Sequence, residues 1–191
     1  MKRITAYVLA LVLTCFCVSS VAGAYYADVP GSSALAGEVE KAVRYGLMNG
    51  YSQDRFGYSD AMTRAQFVVV LTRMMGWQTP SDEENAASIT AAMALPKNLS
   101  SQYRSAIACA AAHDVIGQSE AFRPNSPATR AEMAEMLVRA LGLKSCAADA
   151  EKENSLPFTD VSDKKGYIAV AYEIGMTKGL TDTTFAPDRT A

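Results

Sequence analysis

The chain has 191 residues, of which 49% are hydrophobic and 20% are charged. This length allows one modest domain or a few small repeats, and the composition gives no indication of a large enzyme. The net charge of −2 lacks the basic excess that is typical of nucleic-acid-binding proteins, so we expect no nucleic-acid partner.

Residues 1–24 have the plan of a secretory signal peptide. The basic pair Lys2-Arg3 precedes a long apolar run, and the small residues Ala22-Gly23-Ala24 supply a cleavage site. A retained membrane anchor is the alternative, which the small residues directly after the run disfavour. We expect a secreted chain that starts at Tyr25 and has no membrane segment after cleavage. Cleavage removes two cations and no acid, so the net charge changes from −2 to −4.

Two later stretches repeat each other at an offset of 66 residues. Residues 61–77 are AMTRAQFVVVLTRMMGW, and residues 127–143 are PATRAEMAEMLVRALGL. A phenylalanine stands seven residues before each threonine, and the same landmark recurs at Phe185. Such self-similarity indicates a repeat architecture. We predict three units, at residues 25–77, 95–143 and 158–191.

The third unit is incomplete by this spacing. The chain ends one residue before the threonine that Phe185 predicts. We therefore expect the sequence to be a fragment of a longer chain. At most two complete copies of the threonine-arginine motif are then present.

Each unit predicts two helices joined by a polar loop, so the predicted fold class is all-α. The first helices are expected at about residues 34–47, 101–114 and 164–176, from apolar positions at helical spacing. The second helices start at Thr63 and Thr129 and stop at Gly76 and Gly142. Polar, alanine-rich stretches at 78–94 and 144–157 separate the units. We assign these two stretches as linkers, with ragged helices as the alternative.

The starts of the two second helices are predicted capping boxes. The Thr63 and Thr129 hydroxyls would accept hydrogen bonds from free N–H groups of the first turn. Gln66 and Glu132, three residues on, would reach back to the threonine N–H groups. These four residues therefore have a structural explanation.

Arg64 and Arg130 lie just inside those helix starts, where a cation meets the positive end of the helix dipole. A repeated arginine there predicts a nearby anion. An internal aspartate such as Asp28 or Asp160 is one candidate. The other is an external carboxylate or phosphate held by the guanidinium and the helix N-terminus. Residue chemistry alone leaves the two alternatives open.

Other candidate residues are interpreted more simply. His113 is the only histidine, and no nucleophile motif lies near it, so we predict no catalytic residue. No loop has calcium-ligand spacing, and we expect neither metal nor cofactor. Cys109 and Cys146 could pair or could be buried apolar groups. Tyr103 and Tyr167 open the first helices of units two and three, where they could stack on sugar rings.

The repeated order of motifs resembles the S-layer homology domain family. The order is Asp-Val, helix, Gly-x-x-x-Gly, Phe-x-Pro, Thr-Arg-Ala-Glu and Leu-Gly-Leu, behind a signal peptide, and it spans nearly all of residues 26–191. The resemblance implies three repeats packed as a pseudo-threefold spindle. It also implies non-covalent attachment of an exported protein to cell-wall polysaccharide, often a pyruvylated polymer, at the cell surface.

The resemblance also assigns roles to residues. It implies that Arg64 and Arg130 bind acidic sugar in grooves between repeats, with Asp28 and Asp160 orienting them or taking sugar hydroxyls. The sequence departs from the family pattern at Gln66 and at residues 95–98, where an Asp-Val opening is missing. The alternatives are a structural helical module that binds a protein partner, with arginines in internal salt bridges, or the anchor part of a longer surface enzyme.

Overall fold

The computed structural model describes residues 26–32, 34–77, 93, 95–117, 122–153 and 156–190. The predicted signal peptide and nearly all of the predicted linker 78–94 lie outside these residues. The described ranges hold six helices and no strand, which confirms the predicted all-α class. No helix in those ranges combines the length and the apolar character that crossing a membrane requires.

The helices keep close to the predicted positions. They are α1 (Ala36–Arg44), α2 (Arg64–Met74), α3 (Ser101–Ala112), α4 (Arg130–Ala140), α5 (Lys144–Glu153) and α6 (Lys165–Glu173). The chain divides into two compact units between Tyr58 and Ser59, with α1 in the first unit and the other five helices in the second. The pseudo-threefold spindle stays a prediction.

In the first unit, a loop folds back on the residues before α1. The Tyr26 and Phe56 rings lie 5.3 Å apart, and the Gly50 N–H donates to the Tyr26 hydroxyl at 3.3 Å. A side chain at Gly50 would overlap the Tyr26 ring, which explains the glycine there. The loop after α1 opens with Gly46 at a φ of +69°, a conformation that ends helices and favours glycine.

The first core cluster of the second unit lies between α2 and α3. The largest fully buried side chains of this cluster are Leu71, Met93 and Ile107. The β-branched run of Val68 and its neighbours is helical, because the capping box fixes the helix start and the apolar face packs against α3. Phe122 packs at the edge of this cluster.

The second core cluster joins α4, α5 and α6. Phe185 is fully buried there and packs against Phe158, with ring centroids 5.5 Å apart. The segment 144–157 was predicted as a linker, with a helix as the alternative; its residues Lys144–Glu153 form α5. Ala147 and Ala150 are buried against α6, so small side chains allow this contact. The alanine content that made the segment resemble a linker is what permits close helix packing.

Cys109 and Cys146 do not form a disulfide with each other. Cys109 is buried in α3, whereas Cys146 is exposed on α5. Burial raises the pKa of the Cys109 thiol, as expected for a small apolar core residue. The buried apolar alternative that the sequence left open therefore fits Cys109 and does not fit Cys146.

Candidate functional site

Both predicted capping boxes form. The Thr63 hydroxyl accepts from Gln66 N–H at 3.3 Å, and the Gln66 side-chain oxygen accepts from Thr63 N–H at 2.8 Å. In the second copy, Thr129 accepts from Glu132 N–H at 3.3 Å, and Glu132 Oε2 accepts from Thr129 N–H at 3.0 Å. The two motifs therefore start their helices by the same mechanism.

The remaining donors at the start of α2 are bound within the chain. Arg64 N–H donates to Ser126 O at 3.0 Å, and Ala65 N–H donates to Pro124 O at 3.0 Å. The acceptors belong to the loop that precedes α4. Because loop carbonyls already accept from these N–H groups, an external anion, which was one of the two alternatives, would have to bind through the arginine side chain.

The start of α4 repeats this arrangement with the next loop. Arg130 N–H donates to Arg189 O at 2.9 Å, and Ala131 N–H donates to Pro187 O at 3.0 Å. The start of each capped helix is thus hydrogen-bonded to the loop of the following predicted repeat. These main-chain bonds join neighbouring repeats. Of the motif, only the arginine side chain is left to meet a ligand.

The Arg64 side chain is buried, with 9% of the residue exposed. Its Nη2 forms an ion pair with Glu132 Oε1. Burial alone would raise the pKa of Glu132, but the hydrogen bonds from Arg64 and from Thr129 N–H outweigh it and hold the pKa below its ordinary value. The internal partner of Arg64 is therefore Glu132, the capping glutamate of the next predicted repeat, and not an aspartate.

Arg130 is held differently. Its Nε donates to Phe185 O at 2.9 Å and its Nη2 donates to Lys178 O at 2.5 Å. The guanidinium carbon lies 4.4 Å from the centre of the Phe185 ring. Burial, together with the nearby charge of Arg189, lowers the pKa of Arg130. Two donors of the Arg130 side chain thus bind main-chain carbonyls of the third predicted repeat.

Asp28 and Asp160 hold loops together. Asp28 accepts main-chain N–H groups from residues 56, 57 and 58 at 2.8, 2.6 and 3.0 Å. Asp160 accepts those of Phe185 and Ala186 at 2.9 and 2.7 Å. The bonds from Phe56 and Phe185 are the main reason that the pKa of each aspartate is lowered. Neither carboxylate orients an arginine by a direct hydrogen bond, although Asp160 lies near the charge of Arg130.

A cleft of about 220 Å³ opens beside Arg64 in the second unit. Its lining combines apolar side chains, such as Val115 and Phe122, with charged ones, which we call the rim. The ionisable residues that line it are Arg64, Arg123, Arg139, Lys164, Glu132 and Glu135. Four cations thus face two acids, which leaves a net charge of +2 around the opening.

Two arginine donors in this cleft are unused. Within the described part of the chain, Arg64 Nη1 and Arg139 Nε are buried and have no hydrogen-bond partner. A buried charged donor without a partner is costly, at roughly 1–3 kcal/mol or more. Neither group finds its acceptor among the described residues, so each would gain from a ligand oxygen that reached it.

Glu135 holds two of the cations on the rim. Its Oε1 lies 3.0 Å from Arg139 Nη2, and its Oε2 lies 3.0 Å from Lys164 Nζ. Burial alone would lower the pKa of Lys164, but the interaction with Glu135 outweighs burial and raises this pKa above its ordinary value. Lys164 therefore stays protonated over the physiological range.

The predicted tyrosines differ in their relation to the cleft. Tyr167 lies next to it, with its ring centre 5.4 Å from the Arg139 guanidinium carbon. Tyr103 is partly buried at the edge of the first core cluster. Of the two predicted sugar-stacking rings, that of Tyr167 thus already contacts the Arg139 guanidinium.

Sequence reasoning missed four rim residues. They are Arg123, Glu135, Arg139 and Lys164. Arg73 and Arg139 do occupy matching positions of the repeated stretches, which was the one available signal. His113 stacks on Trp77, with ring centres 3.9 Å apart, and the described residues contain no cluster of potential metal ligands.

Comparison with known proteins agrees with the repeat pattern. The family model of the S-layer homology domain matches residues 25–68 and 97–134. A cell surface protein of Thermoanaerobacter kivui is 27% identical over 188 residues, which cover 94% of this chain and 22% of that protein. An endoglucanase of Bacillus sp. (strain KSM-635) is 29% identical over 180 residues, which cover 86% of this chain and 17% of that protein. The chain spans about a fifth of the length of these two relatives.

Proposed function

Because the chain contains S-layer homology domains at residues 25–68 and 97–134, we propose that it anchors an exported protein non-covalently at the bacterial cell surface. The ligand is an acidic cell-wall polysaccharide, of which a pyruvylated secondary polymer is the leading candidate. The similarity to a protein named as a cell surface protein supports this role. The predicted signal peptide agrees with it.

The observation that carries the proposal is the unused Nη1 of Arg64 at a cleft of net positive charge. A carboxylate of the polymer that entered the cleft would bring the acceptor that this donor lacks, once the arginine side chain shifts toward it. Such charge-assisted hydrogen bonds are among the stronger polar contacts. The volume of about 220 Å³ suits a sugar unit and not a folded partner.

Retention on a wall comes from repetition. A polymer offers the same acidic group many times, so a chain with a weak single site rebinds before it escapes. We therefore expect modest affinity for one sugar unit and strong retention on intact wall.

The test is retention of the purified protein on wall sacculi, with and without the acid-labile polymer. The variant Arg139→Gln/Lys164→Gln removes two rim cations that Glu135 pairs. The control Lys41→Gln/Arg44→Gln removes two exposed cations of α1, each paired with a glutamate. We expect loss of retention when the polymer is removed and in the rim variant, and normal retention in the control.

Arg64 is not a good residue for this test. Its removal leaves the partly buried Glu132 carboxylate, which also caps α4, without its cation, so lost binding could reflect a disturbed helix start. The rim variant leaves that pair intact, but it leaves the partly buried Glu135 without its two cations. A thermal melt of each variant checks that the fold is kept.

The alternative of a structural module that binds a protein partner has one supporting observation. The Arg64–Glu132 pair is the internal salt bridge that this alternative predicts. Retention that ignores both polymer removal and the rim variant would favour it. The activity of the endoglucanase belongs to that protein, and for this chain we propose a binding role without catalysis.

A further inference from the structure

We propose that Glu135 is an internal competitor for the ligand anion and thereby sets the selectivity of the cleft. This proposal rests on the proposed function. The Glu135 carboxylate occupies Arg139 and Lys164, two of the four cations that an acidic sugar would use. A ligand must displace this carboxylate, so only a well-placed anion gains from entering.

The two acids of the cleft have different duties. Glu132 uses one oxygen to cap α4 and the other to pair Arg64, so both are part of the fold. Glu135 forms one ion pair from each oxygen, and both partners line the cleft. Glu135 is therefore the acid that can release its cations without opening a helix start.

The first repeat supports this distinction. Residue 69, which corresponds to Glu135 at the offset of 66, is a valine buried in the first core cluster. The capping positions 66 and 132 are a matched pair, whereas positions 69 and 135 are not. Glu135 is thus not required by the repeat frame, which leaves its role to the cleft.

The unused donors indicate that the cleft still needs an acceptor when Glu135 is in place. Within the described residues, Arg64 Nη1 and Arg139 Nε remain unpartnered although Glu132 and Glu135 lie in the same cleft. Arg139 Nη2 is held by Glu135, whereas Arg139 Nε is buried and has no hydrogen-bond partner within the described residues. A carboxylate-bearing sugar would compete with Glu135 for Arg139 Nη2 and for Lys164, and a shift of the released guanidinium would then bring Nε within its reach.

The test is a titration of ¹⁵N-labelled protein with sodium pyruvate and with the isolated wall polymer, followed by the Nε–H signal of Arg139. The variant Glu135→Gln keeps the side-chain shape and removes the charge. Glu40→Gln on α1 is the matched control, because it removes an equally charged partner of an exposed arginine. We expect about tenfold tighter binding of both probes to Glu135→Gln and unchanged binding to the control, as for one gained charge-assisted hydrogen bond.

Other outcomes overturn the inference. Weaker or unchanged binding to Glu135→Gln means that Glu135 positions the cations or is irrelevant, and absence of pyruvate binding to both proteins means that the cleft takes no anion. Tighter pyruvate binding without polymer binding would keep the inference and reject the proposed function. Should Glu135→Gln fail to melt cooperatively, Glu135→Asp replaces it, because the shorter side chain cannot span both cations and must also bind pyruvate more tightly.

Discussion

Arg64 and Glu132 are joined by an ion pair although they lie 68 positions apart in the chain. The glutamate belongs to the capping box of the second predicted repeat, and the arginine belongs to that of the first. One carboxylate therefore caps a helix and neutralises a buried cation of the preceding repeat. The repeated motif thus acts between repeats as well as within them.

We predict that Glu132→Gln lowers the free energy of unfolding by about 2 kcal/mol, because Arg64 loses its counter-charge in a partly buried site. Gln66→Ala removes only a capping contact in the first copy and should cost about 1 kcal/mol. Urea denaturation of both variants measures the difference. Glu132→Gln keeps a capping side chain, as Gln66 does in the first copy, so an unchanged stability of this variant would mean that the ion pair contributes nothing.

Stability should fall at acid pH. The pKa values of Asp28, Glu132 and Asp160 are all held below their ordinary values in the folded protein. Their contribution is complete above the unfolded-state pKa of about 4 and is lost as the pH falls through the lower folded values. Melting temperatures between pH 7 and pH 3 test this. Asp160→Asn should flatten the acid limb, and an unchanged profile would contradict the loop role of Asp160.

Gly166→Ala should weaken the contact between α5 and α6. A Cβ at this position would overlap the Ala147 carbonyl oxygen, which is main chain and cannot move aside cheaply. We expect a loss of about 2–3 kcal/mol, as for overpacking. Gly37→Ala is the control, because nothing lies within 4 Å of its added Cβ. It should stabilise α1 by up to about 1 kcal/mol.

Ala186→Gly should stabilise the protein by about 1 kcal/mol. Ala186 has a φ of +58°, a region that costs a residue with a Cβ about 1–2 kcal/mol. Glycine relieves this strain at some entropic cost, and the N–H bond to Asp160 is kept. The corresponding residue of the first repeat is already Gly57, at a φ of +87°. Differential scanning calorimetry of Ala186→Gly and the reverse change Gly57→Ala should give shifts of opposite sign.

Retention on wall polymer should fall as salt rises. The cleft carries a net charge of +2, and 0.1 M salt screens its attraction for a polyanion beyond about 10 Å. We expect a clear loss of bound protein between 50 mM and 500 mM NaCl for the native chain. A pelleting assay should show a shallower dependence for Arg139→Gln/Lys164→Gln. Retention that is insensitive to salt would indicate apolar binding.

Local patterns in the sequence were sufficient for the helices and the caps. Thr63 and Thr129 start helices because the signal lies within four consecutive residues. The helical periodicity of the first helices is equally local, so α1, α3 and α6 lie near their predicted positions. The repeat offset also pointed to equivalent loops, which Asp28 and Asp160 hold in the same way.

The cleft could not be derived in this way. Its charged residues come from the start of α2, from the loop before α4, from α4 itself and from the residue before α6. Only packing brings these segments together, and no spacing in the chain records it. The loop bonds of Asp28 and Asp160 could not be derived for a related reason, because a carboxylate that binds main-chain N–H groups has no sequence signature for its partners. Their expected contact with sugar hydroxyls stays a prediction.

The main-chain bonds from each capping helix to the following loop restrict how the number of repeats can change during evolution. An inserted unit brings carbonyls for the helix before it and receives carbonyls from the loop after it. Loss of Pro187 and Arg189 would instead remove the carbonyl oxygens that accept from the N–H groups of Arg130 and Ala131, and these two amides at the start of α4 would be unsatisfied. Recombination should therefore tolerate duplication of a whole repeat with its loop better than removal of the loop at 185–190.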